Sequence, residues 1–134
     1  MSFIAWKDEE ATKVTKVDSQ HKTIISLIND LHKLLPSDEK EKKSKKLYEL
    51  LTVLDDHFTT EENLMKEFKF ENTFSHVQEH NKMRNKLIKY KNDFNSDKID
   101  LNLEFLISVK NWFHNHNKIN DIKMGKFLNS VGVD

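Results

Sequence analysis

The chain has no cysteine. That removes disulfides, thiolate zinc sites, iron–sulfur clusters, thiol catalysis and c-type haem attachment together. Two glycines and one proline in 134 residues are too few for a sheet whose tight hairpins need positive φ or a preset bend. An excess of either charge is also missing: 22 basic and 22 acidic residues cancel. Neither nucleic acid nor an acidic membrane surface is therefore an expected partner. No apolar run reaches the length of a membrane span, and the opening residues lack a signal-peptide pattern, so the expected location is cytoplasmic. What remains is rich in Lys, Glu and Leu, the composition of long helices with short connections. Its length suits a single domain over residues 1–134.

Apolar spacing divides the chain. Residues 1–17 carry Phe3, Ile4, Trp6, Val14 and Val17 without helical period, which predicts an extended arm. Asp18 or Ser19 can cap a first helix bearing Ile24, Ile25, Ile28, Leu31 and Leu35, and Pro36 ends it. Ser37 or Asp38 can cap a second, with Leu47, Leu50, Leu51, Leu54, Phe58, Leu64 and Met65 on one face. Asn72 or Thr73 starts a third, through Val77, Met83, Leu87 and Phe94, and Asp97 or Asp100 a fourth, through Leu103, Leu106, Val109, Trp112 and Phe113. Residues 122–131 read as a short terminal helix or tail. The expected fold is all-α, an antiparallel up-down-up-down four-helix bundle with an N-terminal arm.

Polar residues interrupt these apolar stripes. The second carries His57 and Glu61, the third His76 and His80, the fourth His116, and the first His21 one turn before Ile24. An unpaired imidazole or carboxylate in a core costs several kcal/mol, a large part of a small protein's stability. Heights agree as well as faces. His21, His57, His80 and His116 each lie about 22 Å of helix from the bundle's far end, so alternating helices bring these groups to one level. His57 and Glu61 are i,i+4, as are His76 and His80, and each pair serves one point. Asp121 is i+5 from His116, which implies a loosened or π-type turn between them. Glu62, one residue on from Glu61, is expected to turn toward solvent. His114 falls on the polar side of the fourth helix, and His32 lies about 16 Å along the axis from His21; both read as bystanders. The run Lys40–Lys46 reads as a solvated helix face.

Five imidazoles and two carboxylates exceed the needs of one ion. Zinc takes four ligands, and a structural zinc site usually includes cysteine. Imidazole with carboxylate suits iron, and bundle cores hold metal pairs. Ferritin-type sites instead use more glutamates and Glu-x-x-His pairs.

Taken together, Val17-Asp18-Ser19-Gln20-His21-Lys22, His57-Phe58-Thr59-Thr60-Glu61-Glu62, His76-Val77-Gln78-Glu79-His80 and Trp112-Phe113-His114-Asn115-His116 followed by Asp121 resemble the hemerythrin pattern. Trp6 is similar to bacterial members. Asn117 departs from them, since an aliphatic residue is usual there. The resemblance implies two iron ions with a bridging oxo or hydroxo group. His76, His80 and His116 would hold one iron, His21 and His57 the other, and Glu61 and Asp121 both. It implies reversible binding of dioxygen, as hydroperoxide, on the iron held by two histidines. The protein is then a carrier, store or delivery protein rather than an enzyme, and a monomer. The alternatives are an oxygen or iron sensor, or a di-iron enzyme that oxidises ferrous iron or removes peroxide or nitric oxide. Ile24, Ile25, Phe58 and Trp112 are expected as its apolar surroundings.

Overall fold

A computed structural model describes residues 2–134. Its helices are α1 (Thr15–Leu34), α2 (Lys40–Glu67), α3 (Thr73–Asn95), α4 (Leu103–His116) and α5 (Ile122–Ser130), with no strand among the described residues. The first four form the bundle. α1 packs along α2, α2 along α3, and α4 returns against α1. Short connections make successive helices antiparallel, because a few residues can only reverse the chain. No helix among the described residues is long and apolar enough to cross a membrane.

The arm precedes α1 and contains one 3₁₀ turn, Asp8–Glu10. It is tied to the bundle by its backbone. Ile4 N–H donates to Asn29 Oδ1 at 3.0 Å, Asn29 Nδ2 donates back to the Ile4 carbonyl at 2.9 Å, and Lys110 Nζ donates to the Phe3 carbonyl at 2.8 Å. Gly125 lets the arm approach α5: a Cβ there would come within 2.6 Å of the Thr12 carbonyl oxygen.

Helix starts differ from the sequence expectation in three places. α1 begins at Thr15, ahead of Asp18 and Ser19. Asp18 instead turns back to accept from Thr12 N–H and Thr12 Oγ1, both at 2.8 Å, and from Lys13 N–H at 3.0 Å. α2 begins at Lys40 with neither Ser37 nor Asp38 as its cap; Ser37, two residues ahead of the cap position, accepts through Oγ from Glu39 N–H at 3.0 Å. α4 opens after Asn102, whose Oδ1 accepts from Phe105 N–H at 2.9 Å. Asp97 had offered an earlier cap, but it stands at φ 61° just past α3 and pairs with Lys40.

The core is in two parts. The larger contains Ile24, Ile28, Leu31, Leu47, Leu50, Leu54, Phe58, Met83, Leu87, Phe94, Leu106, Val109 and Phe113. The smaller contains Val14, Val17, Met65, Phe70, Met124 and Leu128. Each helix crosses from one to the other through a polar residue. Along α1 the order is Val17, His21, Ile24; along α2, Phe58, Glu61, Met65; toward and along α3, Phe70, His76, His80, Met83; along α4 and α5, Phe113, His116, Asp121, Met124. The four crossings lie at one height and form a polar layer between the two cores.

Candidate metal centre

The polar layer holds all seven residues singled out in the sequence: His21, His57, Glu61, His76, His80, His116 and Asp121, each buried. α1 supplies His21 from near its start, α2 supplies His57 and Glu61 from its later turns, and α3 supplies His76 and His80 from its first turns. α4 ends on His116. There the backbone passes into a five-residue π-helical turn, Asn117–Asp121, before α5 resumes ordinary winding. A regular helix would rotate a residue five positions on away from His116; the wider turn returns Asp121 to the same face. His116 Nε2 then lies 3.1 Å from Asp121 Oδ1.

The donor atoms fall into two overlapping sets. Glu61, His76, His80, His116 and Asp121 can present ligand atoms to one point, and His21, His57, Glu61 and Asp121 to another. Both carboxylates divide their oxygens between the sets. Glu61 Oε1 lies 3.2 Å from His76 Nε2 and 3.0 Å from His80 Nε2, while its Oε2 lies 3.2 Å from His57 Nε2 and 3.9 Å from His21 Nε2. Asp121 Oδ1 lies 3.1 Å from both His76 and His116 Nε2, and its Oδ2 lies 3.0 Å from His21 Nε2. His80 and His116 aim their Nε2 atoms at each other across 3.1 Å. Glu61 Oε2 and Asp121 Oδ1 are buried without a well-formed hydrogen bond of their own. Lone pairs so converged fit a pair of cations better than they fit one another.

Partners outside the layer orient two of the rings. His57 Nδ1 donates to Gln20 Oε1 at 2.8 Å, and Gln20 Nε2 donates to Thr60 Oγ1 at 3.0 Å. His80 Nδ1 donates to Glu62 Oε2 at 2.8 Å. A proton fixed on Nδ1 leaves the Nε2 lone pair facing inward, as a metal ligand requires. The sequence reading of Glu62 is thereby corrected. It does not turn to solvent but crosses to α3, where Arg84 Nη1 also donates to it at 2.7 Å. Gln20 carried no periodic signal, since its partner lies on another helix. Glu62 did carry one: Asp55 and Glu62, i,i+7 on α2, oppose His80 and Arg84, i,i+4 on α3.

Aromatic rings wall the layer. Phe58 stacks on His80 with centroids 4.2 Å apart, Trp112 stacks on His116 at 4.6 Å, and Phe113 meets His21 edge-on at 5.4 Å. Ile24 and Ile25 are buried in the larger core beneath. The two other histidines lie outside the cluster. His32 stacks on Phe3 at 4.4 Å, and His114 Nδ1 donates to Glu10 at 2.9 Å. Asn117 is buried beside the layer. With its amide nitrogen turned toward the nearby acceptors, it donates to Asp121 Oδ2 at 2.9 Å and to the Phe113 carbonyl at 3.3 Å.

Protons hold the metal-free layer together. Burial draws the His76 imidazole down, but the Asp121 and Glu61 carboxylates outweigh it and lift it to about 9. Burial also opposes protonation of His21 and His80, but Asp121 and Glu61 outweigh it at His21, and Glu61 and Glu62 outweigh it at His80. His57 is pushed down by burial. Glu61 and Asp121, which burial and mutual repulsion would raise, are held well below the usual carboxylate range by the facing imidazoles. For His76 the folded value exceeds the unfolded 6.5, so its stabilising share is complete below that pH and disappears as pH climbs to about 9. The metal-free chain should therefore lose stability from about pH 6.5 to 9 in denaturant melts, while its affinity for a divalent metal rises over that window. Stability that increases across the same range would contradict this charge arrangement.

Comparison with known proteins agrees with the geometry. The profile of the hemerythrin HHE cation binding domain matches residues 12–128. Bacteriohemerythrin of Aquifex aeolicus is 44% identical over 77 residues, a stretch covering 54% of this chain and 59% of that protein. Bacteriohemerythrin of Methylococcus capsulatus is 27% identical over 117 residues, covering 87% of this chain and 89% of its own. A crystal structure of wild-type hemerythrin superposes with a TM-score of 0.92 at 26% identity, covering 95% of this chain and 98% of the other.

Proposed function

The chain belongs to the hemerythrin family, and on that premise we propose that it binds dioxygen reversibly at two iron ions held in the polar layer. His76, His80 and His116 would hold one ion and His21 and His57 the other, with Glu61 and Asp121 shared and an oxo or hydroxo group completing the bridge. The observation that carries this reading is the division of both carboxylates, one oxygen toward each histidine set. Two ferrous ions, when bound, supply the two electrons that dioxygen takes up and returns.

The chain's own residues do the rest. Gln20 and Glu62 hold their imidazoles with Nε2 inward, so the donor set is oriented before any metal arrives. Two carboxylates offset about half the charge of two divalent ions in a site without bulk water. The His21/His57 set offers one protein donor fewer than the other, so a metal held there would have room for an exogenous ligand. Phe58, Trp112 and Phe113 exclude water around the imidazoles and slow the proton delivery that would make oxygen uptake irreversible. Such a centre serves a carrier, store or delivery protein and calls for no turnover. The whole chain, residues 1–134, acts as one oxygen-binding domain.

The test is oxygenation itself. The reduced, iron-loaded protein should take up one dioxygen for each pair of irons with a new visible absorption. Argon should abolish that absorption without any reductant. Direct passage to an oxidised product with no recoverable oxygen would instead favour a di-iron enzyme or a sensor.

A further inference from the structure

We infer that Glu62, which lies outside the seven-residue cluster, makes the two metal positions unequal, so that the His76/His80/His116 position fills first and releases last. The inference rests on the two-metal reading above and adds an order to it.

Among the described residues, His80 is the one imidazole of the five whose outer nitrogen meets a carboxylate. Glu62 is held there from both sides. Its Oε2 accepts from His80 Nδ1 at 2.8 Å and from Arg84 Nη1 at 2.7 Å, and Arg84 Nε donates to Asp55 Oδ1 at 2.7 Å. The guanidinium also lies 5.2 Å over the Phe58 ring, which stacks on His80. The Glu62 side chain is 13% exposed, so solvent screens its charge less than on an open surface, although Arg84 offsets part of it. The corresponding partner on the other side is neutral throughout. His57 donates to the Gln20 carboxamide, Gln20 donates to Thr60, and Thr60 Oγ1 donates to the Asp56 carbonyl.

A carboxylate on Nδ1–H draws that proton outward and enriches the ring, so Nε2 becomes a stronger donor; a carboxamide does this far less. Three imidazoles against two already favour the same position. The negative charge of Glu62 adds to that bias, and Arg84 and Asp55 keep it aimed.

Metal-free protein titrated anaerobically with cobalt(II) alone, followed by visible absorption against a competing chelator, reads both constants. Two ions should bind in separate steps. Glu62→Gln keeps the shape and removes the charge. It should weaken the tighter step about 10- to 100-fold and change the weaker step by less than about threefold. The full effect should persist in a His57→Ala background, where only the three-histidine position remains. Gln20→Glu should do the converse and tighten the weaker step, a gain that disturbed folding cannot produce. Equal weakening of both steps by Glu62→Gln, or no change in either, overturns the inference while leaving the two-metal reading intact. One bound cobalt per wild-type chain, or none, overturns both.

Discussion

Iron-loaded protein should melt far above the metal-free chain, by on the order of 10 °C or more. The size follows from linkage. A ligand that binds only the folded state at a free concentration about 1,000 times its dissociation constant contributes about 4 kcal/mol per site. Each kcal/mol moves the midpoint by a few degrees for a chain of this length. The opposing effect is the ability of the metal-free layer to compensate itself. The imidazoles of His21, His76 and His80, whose protonation nearby carboxylates favour, face Glu61 and Asp121, whose ionisation the imidazoles favour, so chelation should leave a folded protein rather than an unfolded one. Compensation is incomplete, because Glu61 Oε2 and Asp121 Oδ1 are buried in ion-pair contacts with imidazoles but without a well-formed hydrogen bond of their own. Calorimetry before and after chelation, with the metal restored afterwards, measures the difference. Equal midpoints would mean that cation binding and folding are not coupled here.

Replacement of Glu61 by alanine should cost both metals at once. The carboxylate faces four of the five imidazoles, His57 and His21 through one oxygen and His76 and His80 through the other. No other side chain in the layer reaches that many. Its loss removes one oxygen donor from each histidine set and also a negative charge that favours protonation of His76 and His80 in the metal-free chain. The imidazoles answer by shedding protons, which limits the folding penalty, so Glu61→Ala should remain folded while losing affinity at both positions. Retained iron after exhaustive dialysis should fall from about two per chain to well under one, a loss of about 100-fold or more in affinity. Metal analysis of Glu61→Ala beside His32→Ala is the direct comparison, since His32 lies on Phe3 outside the cluster. Two irons surviving in Glu61→Ala would show that the shared carboxylate is not a ligand.

Much of this arrangement could be read from residue spacing. Apolar period gave the helices, and the interruptions in it gave the seven polar residues, because a histidine or glutamate on a core face needs a partner. The i+5 step from His116 to Asp121 even implied the π-helical turn. Two kinds of feature were less legible. Helix starts were one, and the start of α4 is the clearest case of competing capping residues: Asp97 and Asp100 both precede Asn102, and only the path of the loop decides which side chain meets the free N–H groups. Asp18 looks like a cap but ties the arm instead. Partners on neighbouring helices were the other loss. Gln20 and Glu62 act across an interface, and the rotation of one helix against the next is set by packing, not by either helix's own period.

The division of the core has a consequence for how a bound ion leaves. The polar layer lies beneath the smaller cluster of Val14, Val17, Met65, Phe70, Met124 and Leu128; α5 contributes two of these and follows directly on the π-helical turn that carries Asp121. Fewer buried apolar residues hold that end than the larger core, so it is expected to open first, ahead of global unfolding. Undocking of α5 withdraws Asp121 from both histidine sets in one movement. On the two-metal reading, escape of a cation and exposure of the α5 amides to hydrogen exchange should then be one sub-global event, with the lifetime of a loaded centre following the opening of the bundle's short end.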